Sequence, residues 1–161
     1  MITHSTGTLQ FATAVSRKTD TEAATRDLAD AILMQVGTAP IDLAFVFFSS
    51  HHAAKTSMIS AMLQKDLRAK VCLGCSGEGV IAGAEEIETA AAMTIWVACL
   101  PGVTVTPLQL SVSQLQDQIR MPGWPEPGLE ASTFLLLADP FSTPMQEVLS
   151  LVLRVAPSDA T

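Results

Sequence analysis

The sequence predicts an α/β fold: a mixed, partly parallel sheet flanked by helices, with an antiparallel hairpin in its second half. Three observations lead there. Apolar runs of strand length at 11–16, 41–50 and 70–73 alternate with two stretches of helical periodicity, the pattern of strand–helix–strand units. The run Leu43–Phe48 is apolar on both alternations, as in a strand covered on both faces. Further on, MTIWVACL and VTVTPLQL are separated only by Pro101 and Gly102 and read as a hairpin.

The elements follow in order. Residues 1–10 read as a tail, 11–157 as one domain and 158–161 as a second tail. FATAVS at 11–16 has the residues of a short strand. Thr19 and Glu22 fit a capping box that opens a helix, and Gly37 stands where a left-handed cap would end it. Ala24, Leu28, Ala31 and Ile32 form its apolar stripe. IDLAFVFFSS is the central strand. Ser50–Arg68 gives the second helix, with Ile59, Met62, Leu63 and Leu67 on one face and Lys65 and Arg68 where cations suit the dipole. A third strand from Lys70 to about Leu73 delivers the chain into GCSGEG, here read as a loop at a carboxyl edge of the sheet, where open α/β sheets hold ligands. AGAEEIET reads as a solvated acidic turn. Pro107 favours an edge position for the second hairpin strand. MPGWPEPG is too rich in proline for a helix. TFLLLADP reads as a buried strand. Thr143-Pro144-Met145-Gln146 then opens a last helix to about Val155, apolar almost all round and therefore in need of cover on more than one side.

A chain of 161 residues with this apolar content fills a sizeable core. Its net charge of -7, from 9 basic and 16 acidic residues, excludes nucleic acid and an anionic membrane surface as main partners, since both need clustered Lys and Arg. MITHSTGTLQ has neither the basic start nor the apolar run of a signal peptide. No apolar stretch reaches the roughly 20 residues of a spanning helix. Three cysteines, an odd number, suit free thiols in a reducing cytoplasm.

The chemistry concentrates in VCLGCSGEGV, residues 71–80. Cys72 and Cys75 make a CxxC, but redox centres of that kind sit at a helix start, and Ser76-Gly77-Glu78-Gly79 is a poor one. His51 and His52 supply zinc-ligand types near Cys75, without the paired spacing of a zinc module. Gly74-Cys75-Ser76-Gly77-Glu78 misses the nucleophile elbow GxSxG by its last residue, and no histidine follows His52. Gly74, Gly77 and Gly79 run GxxGxG, unlike a dinucleotide fingerprint. Two readings stay level: a tight turn needed only for topology, or glycines with positive φ whose successive N–H groups converge on a small anionic or carbonyl group. Trp96 reads as core. Trp124 is either an anchor or an exposed contact.

The order DLAFVFFSS, helix, GCSGEGVIAGAEEIE, an apolar strand ending in LPGV, VxPLxL and finally LLLADPFSxP resembles the N-terminal domain of FIST proteins, named for F-box and intracellular signal transduction, over roughly residues 11–157. The resemblance implies a cytoplasmic sensory domain for a small molecule such as an amino acid, without enzymatic activity or cofactor. By it Gly74, Cys75, Ser76, Gly77, Glu78 and Gly79 carry over as the motif loop, and Asp139, Pro140 and Phe141 as a second signature. Ser76 is then expected to offer a hydroxyl, and Glu78 or Asp139 a carboxylate for a ligand amine. In the family a C-terminal FIST domain follows, whereas this sequence stops at Thr161. A missing partner domain or self-association is therefore expected to cover the last helix. The alternative function is a protein–protein interaction scaffold in which GCSGEG is only a turn.

Overall fold

The computed structural model describes residues 7–115, 118–123, 133–139 and 141–155. They fall into two compact units, Met1–Thr106 and Pro107–Thr161, each taken by itself below.

The first unit begins with strand β1 (Gln10–Ser16) and helix α1 (Thr21–Val36). The helix starts where expected, but its N-cap is Asp20, whose carboxylate accepts Ala23 N at 2.8 Å. Glu22 is drawn instead to Arg26 one turn on, at 2.6 Å. Ala24, Leu28 and Ile32 are fully buried, and the helix stops at Gly37, whose N–H donates to Leu33 O. Strand β2 (Leu43–Ser49) leads to a short 3-10 helix (Ser50–Lys55) and then α2 (Thr56–Leu67). The single helix expected over Ser50–Arg68 is thus broken at Lys55, where ψ is 25°. Arg68 closes α2 in the left-handed region.

Strand β3 runs from Val71 to Gly77, further than the expected end at Leu73, and takes half of GCSGEG with it. After Glu78, β4 (Gly79–Ala82) and β5 (Glu85–Glu88) form a hairpin where a solvated acidic turn was expected. Its alternation buries Val80 and Ile87 with Ala92 and leaves Glu86 and Glu88 outside. An Arg17–Glu85 ion pair joins it to the chain after β1.

Strand β6 (Met93–Cys99) completes a four-stranded sheet in the order β1-β6-β2-β3. The β2–β3 pair is parallel, and β6 is antiparallel to both β1 and β2. β2 is central, as its apolar pattern predicts. The hairpin expected between β6 and 103–110 is absent: both edges of β6 are already taken, and residues 103–110 form no strand. One sheet face meets α1 and α2, through Ala44, Val46, Phe48, Met93, Ile95 and Val97. The opposite face carries Phe11, Phe45 and Trp96, with Phe11 and Phe45 ring centroids 5.7 and 6.0 Å from Trp96. Trp96 therefore lines an open face, 37% exposed, instead of the core. At the outer edge of β1, Gln35 Nε2 of α1 donates to Thr13 O at 2.9 Å.

In the second unit β7 (Ser113–Leu115) pairs with β8 (Gln118–Arg120), and α3 spans Met145–Val155. Pro144 O accepts Val148 N at 3.0 Å, so the proline stands just before the helix. The strand expected at TFLLLADP is not formed over 133–139, because an apolar run becomes a strand only through a ladder partner and none is found among the described residues. Val148 is buried in α3, whereas Leu149 and Leu153, one turn apart, are 46% and 76% exposed. Trp124 and Pro140 lie outside the described residues.

Candidate functional site

Because β1, β2 and β3 point the same way, their carboxyl ends, Ser16, Ser49 and Gly77, share one edge of the sheet. Several polar side chains of the first unit gather there. Ser16 Oγ donates to Asp27 at 2.8 Å, and Lys18 Nζ lies 3.0 Å from the same carboxylate. Lys18 and then Ser16 hold the Asp27 carboxyl below the usual range. Ser49 ties β2 to the entry of β6: its N–H donates to Ala92 O at 2.9 Å, and its Oγ accepts Ala92 N at 3.1 Å. The same hydroxyl meets Nδ1 of the exposed His51 at 3.2 Å.

His52 is the unusual member. It is fully buried, shares a 3.0 Å hydrogen bond between Nδ1 and Thr21 Oγ1, and among the described residues has no partner for Nε2. Burial first, then the neighbouring His51, push its pKa down, so the ring is neutral near pH 7. A wholly buried nitrogen without a partner is uncommon in folded proteins. The sequence places His51 and His52 together at this strand end, as zinc-ligand types without the spacing of a zinc module. Nothing in the sequence separates the two; only the turn of the 3-10 helix sends one inward.

The expected site residues are distributed as follows. Gly74, Cys75, Ser76 and Gly77 form the exposed second half of β3 and do not belong to a turn. Glu78 is the exposed link to β4, which begins at Gly79. None of the three glycines has positive φ, so the converging N–H nest is not formed. Gly74 is needed for another reason: a Cβ there would overlap the Val46 carbonyl oxygen and stand 2.7 Å from Val46 Cγ1. Cys72 and Cys75 point to opposite faces of β3, roughly 10 Å apart along the strand, beyond disulfide reach. Burial raises the Cys72 thiol pKa. Among the described residues no three His, Cys, Asp or Glu side chains gather as a metal site.

Asp139 belongs to the second unit, where it is used locally. Its carboxylate accepts Ser142 Oγ at 2.5 Å and Phe141 N at 3.1 Å, which hold its pKa below the ordinary carboxylate range.

The opposite, amino edge of the sheet holds a cavity of about 370 Å³ lined by Gln10, Pro40, Asp42, Lys70, Cys99 and Val103, among others. Asp42 is buried there. Desolvation works against its charge, but Lys70 Nζ at 2.6 Å and Leu100 N at 2.5 Å prevail and keep its carboxyl below the usual range. No residue of GCSGEG lines this cavity.

The FIST N domain family model matches residues 42–159, which is most of the chain, from the start of β2 past α3. The chain belongs to the FIST family. No curated protein and no solved structure gave a match. The match begins at Asp42, so β1 and α1, which the sequence comparison over 11–157 took in, stand outside it. FIST membership carries a sensory, signal-transduction role at the level of the family. Among the described residues no helix is long and apolar enough to cross a membrane.

Proposed function

We propose that this FIST domain is a cytoplasmic sensor whose small polar ligand, an amino acid or a related carboxylate, binds at the carboxyl edge of the sheet. It acts as a binding and not a catalytic domain. The observation that carries the reading is the exposure of Ser76, Glu78 and His51 at the edge where α/β sheets take ligands, beside the buried His52 whose Nε2 has no partner among the described residues. Beside it the 3-10 helix packs on β3, whose Ser76 hydroxyl and following Glu78 carboxylate are exposed. Those groups offer a hydroxyl and an anion to a zwitterion, with His51 at the rim.

The test is a thermal-shift screen of the purified chain against amino acids and small carboxylates, since a ligand at about 100 times its Kd adds about 2.7 kcal/mol of stability. A shift abolished by Ser76→Ala and by His52→Phe supports the carboxyl-edge site. A shift that survives both and is lost in Lys70→Ala moves the ligand to the amino-edge cavity and overturns the assignment of residues. No shift with any compound favours the second reading, an interaction scaffold. That reading has its own support in the open aromatic face of Phe11, Phe45 and Trp96, since exposed apolar patches of this kind mark interaction surfaces.

A further inference from the structure

β3 is the last strand of its sheet, and among the described residues nothing pairs with its far edge. Edge strands are normally guarded by a charge, a proline or a bulge. Val71–Gly77 contains no charged residue and no proline, and Gly74–Gly77 are exposed. The other edge differs: Gln35 Nε2 already occupies the Thr13 carbonyl on β1, and Arg17 and Lys18 follow that strand.

Val71 N donates to Asp42 O at 3.1 Å, so the backbone groups of Val71, Leu73, Cys75 and Gly77 serve β2. By the period-2 alternation, those of Cys72, Gly74 and Ser76 face the free edge.

We propose that β3 pairs antiparallel with β3 of a second copy about a two-fold axis at Gly74, joining two four-stranded sheets into one of eight strands. Full overlap of the seven residues sets Val71 opposite Gly77, Cys72 opposite Ser76 and Gly74 opposite itself. The same register matches outward-facing residues only with outward-facing residues, as an antiparallel ladder requires. It also brings Lys70 opposite Glu78 of the partner subunit at both ends of the seam. Lys70 keeps 67% of its side chain exposed while it holds Asp42, which leaves room for a second carboxylate. Among the described residues Glu78 forms no ion pair within its own chain. A basic extended segment of another protein would satisfy Glu78 and leave Lys70 idle, whereas a second copy satisfies both. The uncharged seam lets two chains of net charge -7 approach. This isologous pairing does not rest on the small-ligand reading, although it engages the Glu78 carboxylate that the reading also uses.

Sedimentation equilibrium of the purified chain is expected to give twice the 17.0 kDa of one chain. Leu73 falls opposite Cys75 of the partner subunit in a non-hydrogen-bonded pair, with Cα atoms about 4.5 Å apart. Leu73→Cys is therefore expected to give a disulfide-linked dimer with oxidised glutathione, and Leu73→Cys combined with Cys75→Ser is not. Ser76→Pro removes one outward N–H and leaves the β2 ladder intact, so it yields a folded monomer by far-UV circular dichroism. Glu78→Lys raises the dimer Kd roughly tenfold at low salt. A chain that stays monomeric at high micromolar concentration overturns the proposal. So does a dimer that survives Ser76→Pro, or one in which Leu73→Cys fails to crosslink. Should Ser76→Pro fail to fold, the crosslink decides alone.

Discussion

The two faces of the four-stranded sheet are both apolar, yet they are in opposite situations. On the helix side Ala44, Val46, Phe48, Met93, Ile95 and Val97 are sealed under α1 and α2. On the other side Phe11 is 59% exposed and Trp96 37%, held mainly by each other and by Phe45. The same residue types therefore stabilise by different means. The first face excludes water outright; the second buries Leu43, Val71 and Ala98 with Leu100 and Val105 at its amino end and relies on aromatic contact between neighbouring strands at Phe11, Phe45 and Trp96. Apolar composition alone does not say which face is the core; the helices that cross over it do.

Four changes test this contrast. Ile95→Ala, on the sealed face at 0% exposure, is expected to cost about 2–5 kcal/mol in urea unfolding, because the lost side chain leaves a cavity under α1. Gly74→Ala is expected to cost about 3 kcal/mol in the same measurement, since the added carbon meets a Val46 backbone oxygen that cannot move without parting β2 from β3. If Gly74→Ala proves neutral, the β2–β3 packing described above is wrong. Trp96→Ala, on the open face, is expected to cost less than Ile95→Ala, about 1–2 kcal/mol, and to lower binding of a hydrophobic dye. An equal cost for the two would mean that both faces are covered.

The smallest effect concerns His52. Its folded-state pKa lies below the ordinary 6.5, so the unfolded chain takes up the proton first as pH falls. Its contribution is complete above pH 6.5 and is lost as pH drops from 6.5 toward the depressed folded value. Asp27 and Asp42, with pKa values lowered from 3.8, take over only below about that pH. Stability measured between pH 6.5 and 4 is expected to fall in the wild type and to stay flatter in His52→Gln. Parallel profiles would show that His52 is not buried as described.

Much of the fold was legible because local signals agreed with tertiary context. The stripe Ala24, Leu28, Ile32 fixed α1, and the doubly apolar Leu43–Phe48 fixed β2 as a central strand. Residues 103–110 and 133–139 misled for one reason: they have strand-like residues but find no ladder among the described ones, and pairing is not a local property. GCSGEG misled in the opposite sense. Glycine-rich sequence suggests a turn, yet here small residues serve a close approach between β3 and β2 that only the sheet register reveals. The polar edge was half visible. Ser49, His51 and His52 could be placed at a strand end, but the burial of His52 against Thr21 depends on α1, about thirty residues upstream.

The amide of Gln35 on the Thr13 carbonyl limits how far such a sheet can grow. A protein with two bare strand edges adds copies at both ends and runs on into an open fibre. With one end stopped by a glutamine from its own helix, lateral addition at β3 ends after a single event, and the product has a fixed stoichiometry. A Gln35→Ala chain loses that terminator and, with it, the guarantee that its assembly is finite.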